Sequence, residues 1–341
     1  MNSFICHKFI LNLYNKLIIR DNFILRIMIK IIFLIISILF FIQKKKKLKY
    51  KTSINVAYAF DQKYLYITHI SMKSIMISQK NDTFIIFYIL LSSNLPEDKK
   101  NIIDLICKDH LNCNINYYYM GEKFKNLNVK GITTWSTEMY YRLILQDLLP
   151  NESRILYLDC DTLIYKDLSK IYNYNIDGKY YTGMLEPMDK SLPIIIDNFI
   201  NTGVMLINLE ELRKGNATKK VEKFLIQNNY KLKFPVNDAI NSVFHEKNGY
   251  FNPEFVQWGF CNSHFINNYI NSLIIKLDKN EVLKAYKDPY IYHLIGYWGK
   301  PWKRIPYLEG FACIDPLTRF YEIARKTNYY FQILEKYKIH K

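Results

Sequence analysis

Asp159 and Asp161 are the residues whose types and spacing point most directly to chemistry. Only Cys160 separates them, and they follow a short apolar run, Ile155–Leu158, which is typical of a buried strand. Two carboxylates this close repel each other unless a cation compensates their charge. Hard carboxylate oxygens suit Mn²⁺ or Mg²⁺, and these metals in turn hold phosphates. The pattern therefore predicts a site for a metal and a diphosphate, with a turn of solvated carboxylates as the alternative.

The elements that must position these carboxylates follow an α/β pattern from Ile54 onward. Strands are predicted over 54–60, 84–91, 114–119 and 155–158, and helices over 62–79, from Pro96 onward, over 137–149 and after Pro316. Strands that alternate with helices predict a mostly parallel sheet. Ligands of such sheets bind at the carboxyl ends of the strands, which is where Asp159 lies.

The composition is that of a folded protein with a basic N-terminal end. Half of the 341 residues are hydrophobic and the net charge is +16. Residues 1–51 carry +10 of this charge, which leaves +6 for the remaining 290 residues. The body is only mildly basic, so we expect no nucleic-acid partner. The six cysteines have no Cys-x-x-Cys spacing, which favours reduced thiols in a cytosolic domain, with disulfides as the alternative.

The N-terminal segment, residues 1–51, combines an apolar run with a cluster of lysines. The run 31–42 has a single polar residue and is followed closely by Lys44–Lys47. It is shorter than the roughly 20 residues that a membrane span needs. The lysines would attract anionic lipid and favour a cytoplasmic location for their side. We expect a membrane-attachment segment, peripheral or a single anchor, on the cytoplasmic face of a membrane; an over-extended translation start, with Met28 or a later residue as the true beginning, is the alternative.

Five segments place further polar residues beside apolar runs. They are Val56–Tyr64; Tyr140–Leu143 with Leu148–Pro150; Arg154–Asp161; Asn201–Leu209; and His293–Gly296 with Lys300–Trp302. In this order and spacing they resemble glycosyltransferase family 8, which includes bacterial lipopolysaccharide galactosyl- and glucosyltransferases and is related to glycogenin. The resemblance covers about residues 54–305 and depends on all five segments together.

The resemblance implies the GT-A nucleotide-diphospho-sugar transferase fold, a Rossmann-like mixed sheet flanked by helices. It implies retaining transfer of a hexose, glucose or galactose, from a UDP-sugar to a glycan or glycolipid acceptor, with Mn²⁺ (or Mg²⁺) as the metal. Because the N-terminus is basic and apolar, we expect a lipopolysaccharide or another cell-surface glycan as the acceptor. The transferase domain would cover residues 52–310, between the N-terminal segment 1–51 and a C-terminal helical extension, 311–341.

The resemblance also assigns roles to individual residues. The metal ligands would be Asp159, Asp161 and His293. Asp61 would accept a hydrogen bond from the uracil ring; a helix N-cap is its alternative. Arg142 would bind phosphate or a carboxylate of the site through its fork of donors; a structural ion pair is the alternative.

The remaining expected site residues would surround the donor. Asn201 would contact the donor sugar, Gly296 would let the backbone approach a phosphate, and Lys300 would stabilise the departing diphosphate. A turn-forming role for Asn201 and a surface position for Lys300 are the alternatives. The full expected donor set is Ala59, Asp61, Arg142, Asp159, Cys160, Asn201, Gly296 and Lys300, and the expected catalytic residues are Asn237, Asp238 and Lys300.

Two departures from the family pattern bear on this assignment. The interval from His293 to Lys300 is seven residues, where the family has six. Asn237 replaces a Gln that the family places near the anomeric carbon, and Val236 replaces an acid. Because Asn is one methylene shorter than Gln, we expect catalysis to rely on Asp238 and the leaving phosphate rather than on Asn237.

Two other functions compete with this interpretation. A haloacid-dehalogenase-type phosphatase also uses Asp-x-Asp after a strand, but it places Thr two residues after the second Asp, whereas Thr162 follows at once. A catalytically weak or inactive sugar-nucleotide-binding protein is the other alternative, because of Val236 and Asn237. Hydrolysis of a UDP-sugar without an acceptor, or its absence despite nucleotide binding, would separate an enzyme from a binding protein.

Overall fold

The computed structural model of the chain describes residues 30–32, 34, 50–124, 136–187, 196–228, 232, 234–258, 263–273, 275, 277–295, 300–302 and 316–337. The expectation for Gly296, and most of those for residues 1–51, lie outside the described residues. No described helix is long and apolar enough to cross a membrane.

Ten strands of the described part of the chain form two sheets. They are β1 (Thr52–Ala59), β2 (Thr83–Leu91), β3 (Cys113–Tyr119), β4 (Arg154–Leu158), β5 (Thr162–Ile164), β6 (Tyr181–Leu185), β7 (Ile200–Asn208), β8 (Asn248–Tyr250), β9 (Val256–Trp258) and β10 (Ile291–His293). The larger sheet has the order β3-β2-β1-β4-β7-β6-β8, and the smaller one the order β5-β10-β9. The strands predicted at 54–60, 84–91, 114–119 and 155–158 are all present, within two residues at each end.

The larger sheet is mixed, as the resemblance implied, and most of its neighbouring strands are parallel. Strands β3, β2, β1 and β4 are parallel neighbours, but β7 is antiparallel to both β4 and β6. As a result, the carboxyl end of β4, the start of β7 and the carboxyl end of β6 meet at one edge. Leu158 of β4 is paired with Val204 of β7, and Leu185 of β6 with Ile200. The polar residues that follow these strand ends are therefore neighbours.

Eleven helices of the described residues accompany the sheets. They are α1 (Leu65–Ser78), α2 (Glu97–Asp109), α3 (Leu145–Leu148), α4 (Ser169–Tyr172), α5 (Leu209–Lys214), α6 (Ala217–Gln227), α7 (Pro235–Phe244), α8 (Ser263–Ser272), α9 (Lys279–Lys287), α10 (Pro316–Arg325) and α11 (Tyr330–Lys336). Short 3₁₀ segments cover Gln62–Tyr64, Thr137–Ile144 and His245–Lys247. The helix predicted over 137–149 is thus a 3₁₀ segment that ends in one α-helical turn.

Apolar side chains cover both faces of the larger sheet, because its strands lie between two layers of helices. Val56 and Tyr58 face a core that also contains Ile70 of α1 and Phe320 of α10. Ala57, whose side chain points to the opposite face, lies in a second core together with residues of α5, α6 and α7. Alternation along β1 therefore decides which core each residue joins.

The C-terminal helices contribute to the first core and reach the turn after β1. Ile323 of α10 and Ile333 of α11 are fully buried there. At the end of α11, Lys336 Nζ donates to the carbonyl of Gln62 (3.0 Å) and Tyr337 Oη donates to the carbonyl of Lys63 (2.8 Å). Part of the predicted extension 311–341 therefore holds the backbone that follows Asp61.

One expectation about the cysteines is wrong. Cys107, near the end of α2, and Cys113, at the start of β3, form a disulfide, whereas the spacing favoured reduced thiols. The turn between the helix and the strand brings their Cα atoms within 5.4 Å, which is a separation that a disulfide can bridge. Cys160 is a buried free thiol. Cys6, Cys261 and Cys313 lie outside the described residues.

Candidate active site

Asp159, Asp161 and His293 lie together at the carboxyl end of β4, and we call them the carboxylate–histidine group. One ligand atom from each residue can be chosen so that all three lie within 4.8 Å of one another. His293 Nε2 is 3.2 Å from Asp161 Oδ1 and 3.7 Å from Asp159 Oδ2. The buried Nδ1 of His293 has no hydrogen-bond partner among the described residues. Two carboxylates and an imidazole form a donor set that suits Mn²⁺ or Mg²⁺, so these residues fit the expected metal.

The smaller sheet brings His293 to this group. β5 starts directly after Asp161, and β10 is antiparallel to it, with His293 paired to Thr162. The backbone N–H of Leu294 donates to the carbonyl of Asp161 at 2.8 Å. Strand pairing therefore closes a sequence distance of 132 residues between Asp161 and His293.

Gly203 packs directly against Asp159 and His293 of the carboxylate–histidine group. Its carbonyl accepts a hydrogen bond from the N–H of Asp159 at 2.6 Å. A Cβ atom at this position would lie 2.6 Å from Asp159 Oδ2 and would overlap the ring of His293. Because both of these neighbours are candidate metal ligands, any larger residue here would displace them.

Arg142 joins the carboxylate–histidine group to β7. Its Nη2 donates to Asp159 Oδ1 at 2.7 Å, and its Nη1 donates to the carbonyl of Thr202 at 2.6 Å. Its Nε donates to the carbonyl of Met139 (2.9 Å), and the guanidinium lies 4.2 Å from the ring centre of Tyr157. A planar fork of donors on an aromatic ring is an arrangement that Lys cannot reproduce. Arg142 thus makes an ion pair within the site, and contact with phosphate stays a prediction.

Lys300, which is partly buried, forms an ion pair with Oδ2 of the buried Asp161. Burial by itself would raise the pKa of Asp161, but the charges of Lys300 and His293 outweigh it and hold this pKa well below its ordinary value. For Lys300, burial would lower the pKa, and the attraction of Asp161 raises it above the ordinary value instead. Both groups are therefore charged, and a cation lies beside the expected diphosphate. This position differs from that of a surface lysine.

The turn after β1 holds the residues expected to bind the nucleotide. Asp61 Oδ1 accepts the backbone N–H groups of Lys63 (2.9 Å) and Tyr64 (3.3 Å), so it is the N-cap of the following 3₁₀ turn. No described residue donates to its Oδ2. The thiol of Cys160 contacts the carbonyl of Ala59 at 3.6 Å, which joins this turn to the carboxylate–histidine group.

A second set of polar side chains lies at the edge formed by β6, β7 and α7, and we call it the amide network: Glu186, Asn201, Thr202 and Asn237. Glu186 Oε2 accepts hydrogen bonds from Asn201 Nδ2 (3.2 Å) and Asn237 Nδ2 (3.0 Å). The hydroxyl of Thr202 contacts Asn237 Oδ1, and Asn201 Oδ1 accepts the N–H of Gly203 at 2.9 Å. Both ends of each amide are therefore held by other groups of the protein.

The departures from the family pattern on α7 concern two neighbouring residues. Val236 is buried in the second core, so it faces away from the amide network. Asn237 is held next to β7 because the amide of Asn241 exchanges two 2.9 Å hydrogen bonds with the backbone of Ile200. Asp238 is also buried, and its Oδ2 accepts the N–H of Phe234 at the start of the helix (2.9 Å).

Sequence reasoning missed Glu186. Burial raises its pKa to about 7, although the hydrogen bond from Asn201 and the charge of His293 act in the opposite direction and Asp238 adds to the increase. The signal was weak, since Glu186 follows the strand 181–185 as Asp159 follows 155–158, but Thr182 and Gly183 interrupt the apolar character of the first of these segments. The structure brings Arg142, Asp159, Asp161, His293 and Lys300 into contact, and it joins Asn201 to Asn237 through Glu186. Asp61 lies in the turn after β1 and Asp238 in the first turn of α7, and the catalytic and binding roles of all these residues stay predictions.

Several curated proteins are similar to this chain. General stress protein A of Bacillus subtilis is 30% identical over 117 residues, which cover 32% of this chain and 41% of that protein. A lipopolysaccharide 1,2-glucosyltransferase of Escherichia coli is 26% identical over 197 residues, covering 55% and 57% of the two chains. The matches thus span about half the length of these relatives.

Solved structures show the fold. The galactosyltransferase LgtC, determined with donor and acceptor sugar analogues, superimposes with a TM-score of 0.67 at 20% identity, over 81% of this chain and 96% of that one. The bifunctional glycosyltransferase WbbM superimposes with a TM-score of 0.65 at 17% identity, over 84% and 52%. The expected GT-A fold is confirmed, and the phosphatase alternative is dropped. Because the family described as Glycosyl transferase family 8 matches residues 55–306, the chain belongs to glycosyltransferase family 8.

Proposed function

We propose that the protein is a retaining hexosyltransferase that moves glucose or galactose from a UDP-sugar to a glycan acceptor, with Mn²⁺ (or Mg²⁺) as its metal. The observation that carries this proposal is the convergence of Asp159, Asp161 and His293 within 4.8 Å at a strand end of a family 8 domain. A bound divalent metal would neutralise the diphosphate and help it to depart.

The chain's own residues would bind and orient the donor. Lys300 is a charged group beside Asp161 and would stabilise the negative charge that develops on the leaving diphosphate. Arg142 holds Asp159 and Thr202 in one arrangement, so the metal end and the hexose end of the site keep a fixed distance. Asp61 Oδ2 and the backbone of Ala59 would receive the nucleotide at the turn after β1.

The amide network would receive the hexose. Asn201 and Asn237 lie directly beyond Gly203 and Thr202, which adjoin the carboxylate–histidine group. Asp238 would favour positive charge on the sugar ring through its carboxylate. Asn237 would contribute less than the corresponding Gln of the family, because both ends of its amide are already hydrogen-bonded.

The test is a donor screen with purified protein. Hydrolysis and transfer would be measured with UDP-glucose, UDP-galactose and UDP-galacturonate, with and without Mn²⁺. The last donor is included because galacturonosyltransferase-like proteins of Arabidopsis thaliana are among the relatives (30% identical over 106 residues). We expect metal-dependent release of UDP from one neutral hexose donor. Binding of UDP and Mn²⁺ without turnover of any donor would favour the sugar-nucleotide-binding alternative.

The acceptor and location are part of the same proposal. A lipopolysaccharide or other cell-surface glycan is the proposed acceptor, reached from the cytoplasmic face of a membrane through residues 1–51. Deletion of residues 1–47 should remove binding to vesicles that contain anionic lipid and leave donor hydrolysis intact. An inactive or insoluble truncated protein would assign the segment to the folded domain instead.

A further inference from the structure

We propose that Glu186 is the positioning residue that fixes both amides of the hexose subsite, Asn201 and Asn237, in one orientation. The inference rests on the proposed function, since it concerns the part of the site that would receive the transferred sugar. Nothing in the motifs of the family resemblance pointed to this residue. Its place at the end of β6, beside the starts of β7 and α7, identifies it.

The geometry that carries the inference is a shared acceptor. A single oxygen, Glu186 Oε2, receives Nδ2 of Asn201 and Nδ2 of Asn237, at 3.2 and 3.0 Å. An amide side chain can turn by 180° and exchange its donor and acceptor ends at little cost, unless its partners differ at the two ends. Glu186 supplies an acceptor for the nitrogen end of both amides, which removes this freedom.

The opposite ends of the two amides are held by donors. Asn201 Oδ1 accepts the backbone N–H of Gly203 at 2.9 Å, and Asn237 Oδ1 faces the hydroxyl of Thr202. Without Glu186, each amide would lose the acceptor at its nitrogen end and keep only the donor at its oxygen end. Gly203 contacts the carboxylate–histidine group and Thr202 contacts Arg142, so the amides that Glu186 orients lie next to that group.

Glu186 acts through Asn201 and Asn237 rather than as a nucleophile. Its Oε2 already accepts a hydrogen bond from each of these two amides, which supports this role. Burial raises its pKa to about 7, so a neutral side chain of the same shape is a fair substitute. The substitution Glu186→Gln would retain an oxygen that can accept from both amides. The substitution Glu186→Leu introduces a side chain of similar size that has no acceptor. The two variants therefore separate positioning from direct chemistry.

The experiment compares these variants in donor hydrolysis and transfer. We expect Glu186→Gln to keep kcat within about threefold of the wild type. Glu186→Leu should lower kcat by about a hundredfold, because a misplacement of about 1 Å at the reacting centre has an effect of this order. The affinity for Mn²⁺ with UDP alone should be unchanged in both, since Glu186 contacts none of the nucleotide or metal residues. Glu97, an exposed carboxylate on α2, provides matched control variants, Glu97→Gln and Glu97→Leu.

Equal losses in Glu186→Gln and Glu186→Leu would overturn the proposal, because the carboxylate would then act on the substrate itself. Full activity of Glu186→Leu would overturn it as well. A second measurement does not depend on activity: solvent exchange of the side-chain amide protons of Asn201 and Asn237, followed by NMR. We expect faster exchange in Glu186→Leu and wild-type exchange in Glu186→Gln. Unchanged exchange in Glu186→Leu would reject the inference, whereas absence of turnover in the wild type would reject only the proposed function.

Discussion

The carboxylate–histidine group and the amide network lie side by side, but they are held by different forces. Ion pairs with Arg142 and Lys300 hold the first, and their strength depends on charge. Hydrogen bonds from two uncharged amides to the carboxyl of Glu186, whose pKa is raised by burial, hold the second. A change of charge should therefore disable the first region, whereas the second should respond mainly to changes of orientation.

The largest effect is expected for Asp161→Asn. The substitution keeps the shape of the side chain and removes one ligand charge, so metal-dependent turnover should fall on the order of a thousandfold. The unfolding temperature would show that the fold persists, and Asp98→Asn, an exposed carboxylate on α2, is the matched control. Retained turnover at saturating Mn²⁺ would contradict the assignment of this group to the metal.

Arg142→Lys tests whether the two regions depend on each other. Lys keeps the charge beside Asp159 but cannot also reach the carbonyls of Thr202 and Met139 as the guanidinium does. We expect a loss in kcat of about a hundredfold together with a lower unfolding temperature. If the Lys variant keeps wild-type turnover, a positive charge beside Asp159 is enough for catalysis, and the hydrogen bond from Arg142 to Thr202 of β7 is not required.

Gly203→Ala tests the packing against the carboxylate–histidine group without changing any charge. The added Cβ would lie 2.6 Å from Asp159 Oδ2, so Asp159 and His293 must shift apart. We expect the affinity for Mn²⁺ with UDP to fall by about 10- to 100-fold, as is typical when the support of a metal ligand is disturbed. Calorimetric titration with Mn²⁺ and UDP would measure it. Wild-type affinity would mean that the ligands do not need this close approach.

Asn237→Ala and Asp238→Ala compare a member of the amide network with its neighbour on α7. Asn237→Ala should cost less than about tenfold in kcat, because Glu186 would still hold Asn201. Asp238→Ala should cost clearly more, since its buried carboxylate also caps the start of α7 at Phe234. A greater loss of kcat in Asn237→Ala than in Asp238→Ala would contradict this expectation. It would mean that Asn237 has the role of the family's Gln.

The smallest effect is expected in the pH dependence of stability. Burial raises the pKa of Glu186 from 4.5 to about 7, so the folded protein holds this proton more tightly than the unfolded chain does. The stability from this group is complete below pH 4.5 and is lost as the pH rises through about 7. Glu186→Gln carries no such proton, so its stability relative to the wild type should increase from about pH 5 to about pH 8. Denaturant unfolding at several pH values would measure the difference, and parallel curves would contradict the burial of Glu186.

The sequence predicted most of the regular elements because their signals are local. Apolar runs identified the strands at 54–60 and 155–158, and β1 and β4 have nearly these limits. The same local logic placed Asp159 and Asp161 at a strand end. It did not predict which neighbouring strands are antiparallel, because periodicity within a strand says nothing about the direction of its neighbour. The antiparallel placement of β7 depends on contacts across the sheet.

By itself, the sequence determined the chemistry of the site: two carboxylates beside a strand, a histidine, an arginine and a lysine, with the spacing of one family. Only the tertiary structure decided which groups meet. The pairing of β10 with β5 brings His293 to Asp161, and the mixed sheet brings Glu186 to Asn201 and Asn237. The physical reason is that strand order and register are set by packing between distant segments, whereas residue type and local periodicity report only on the neighbourhood of each residue.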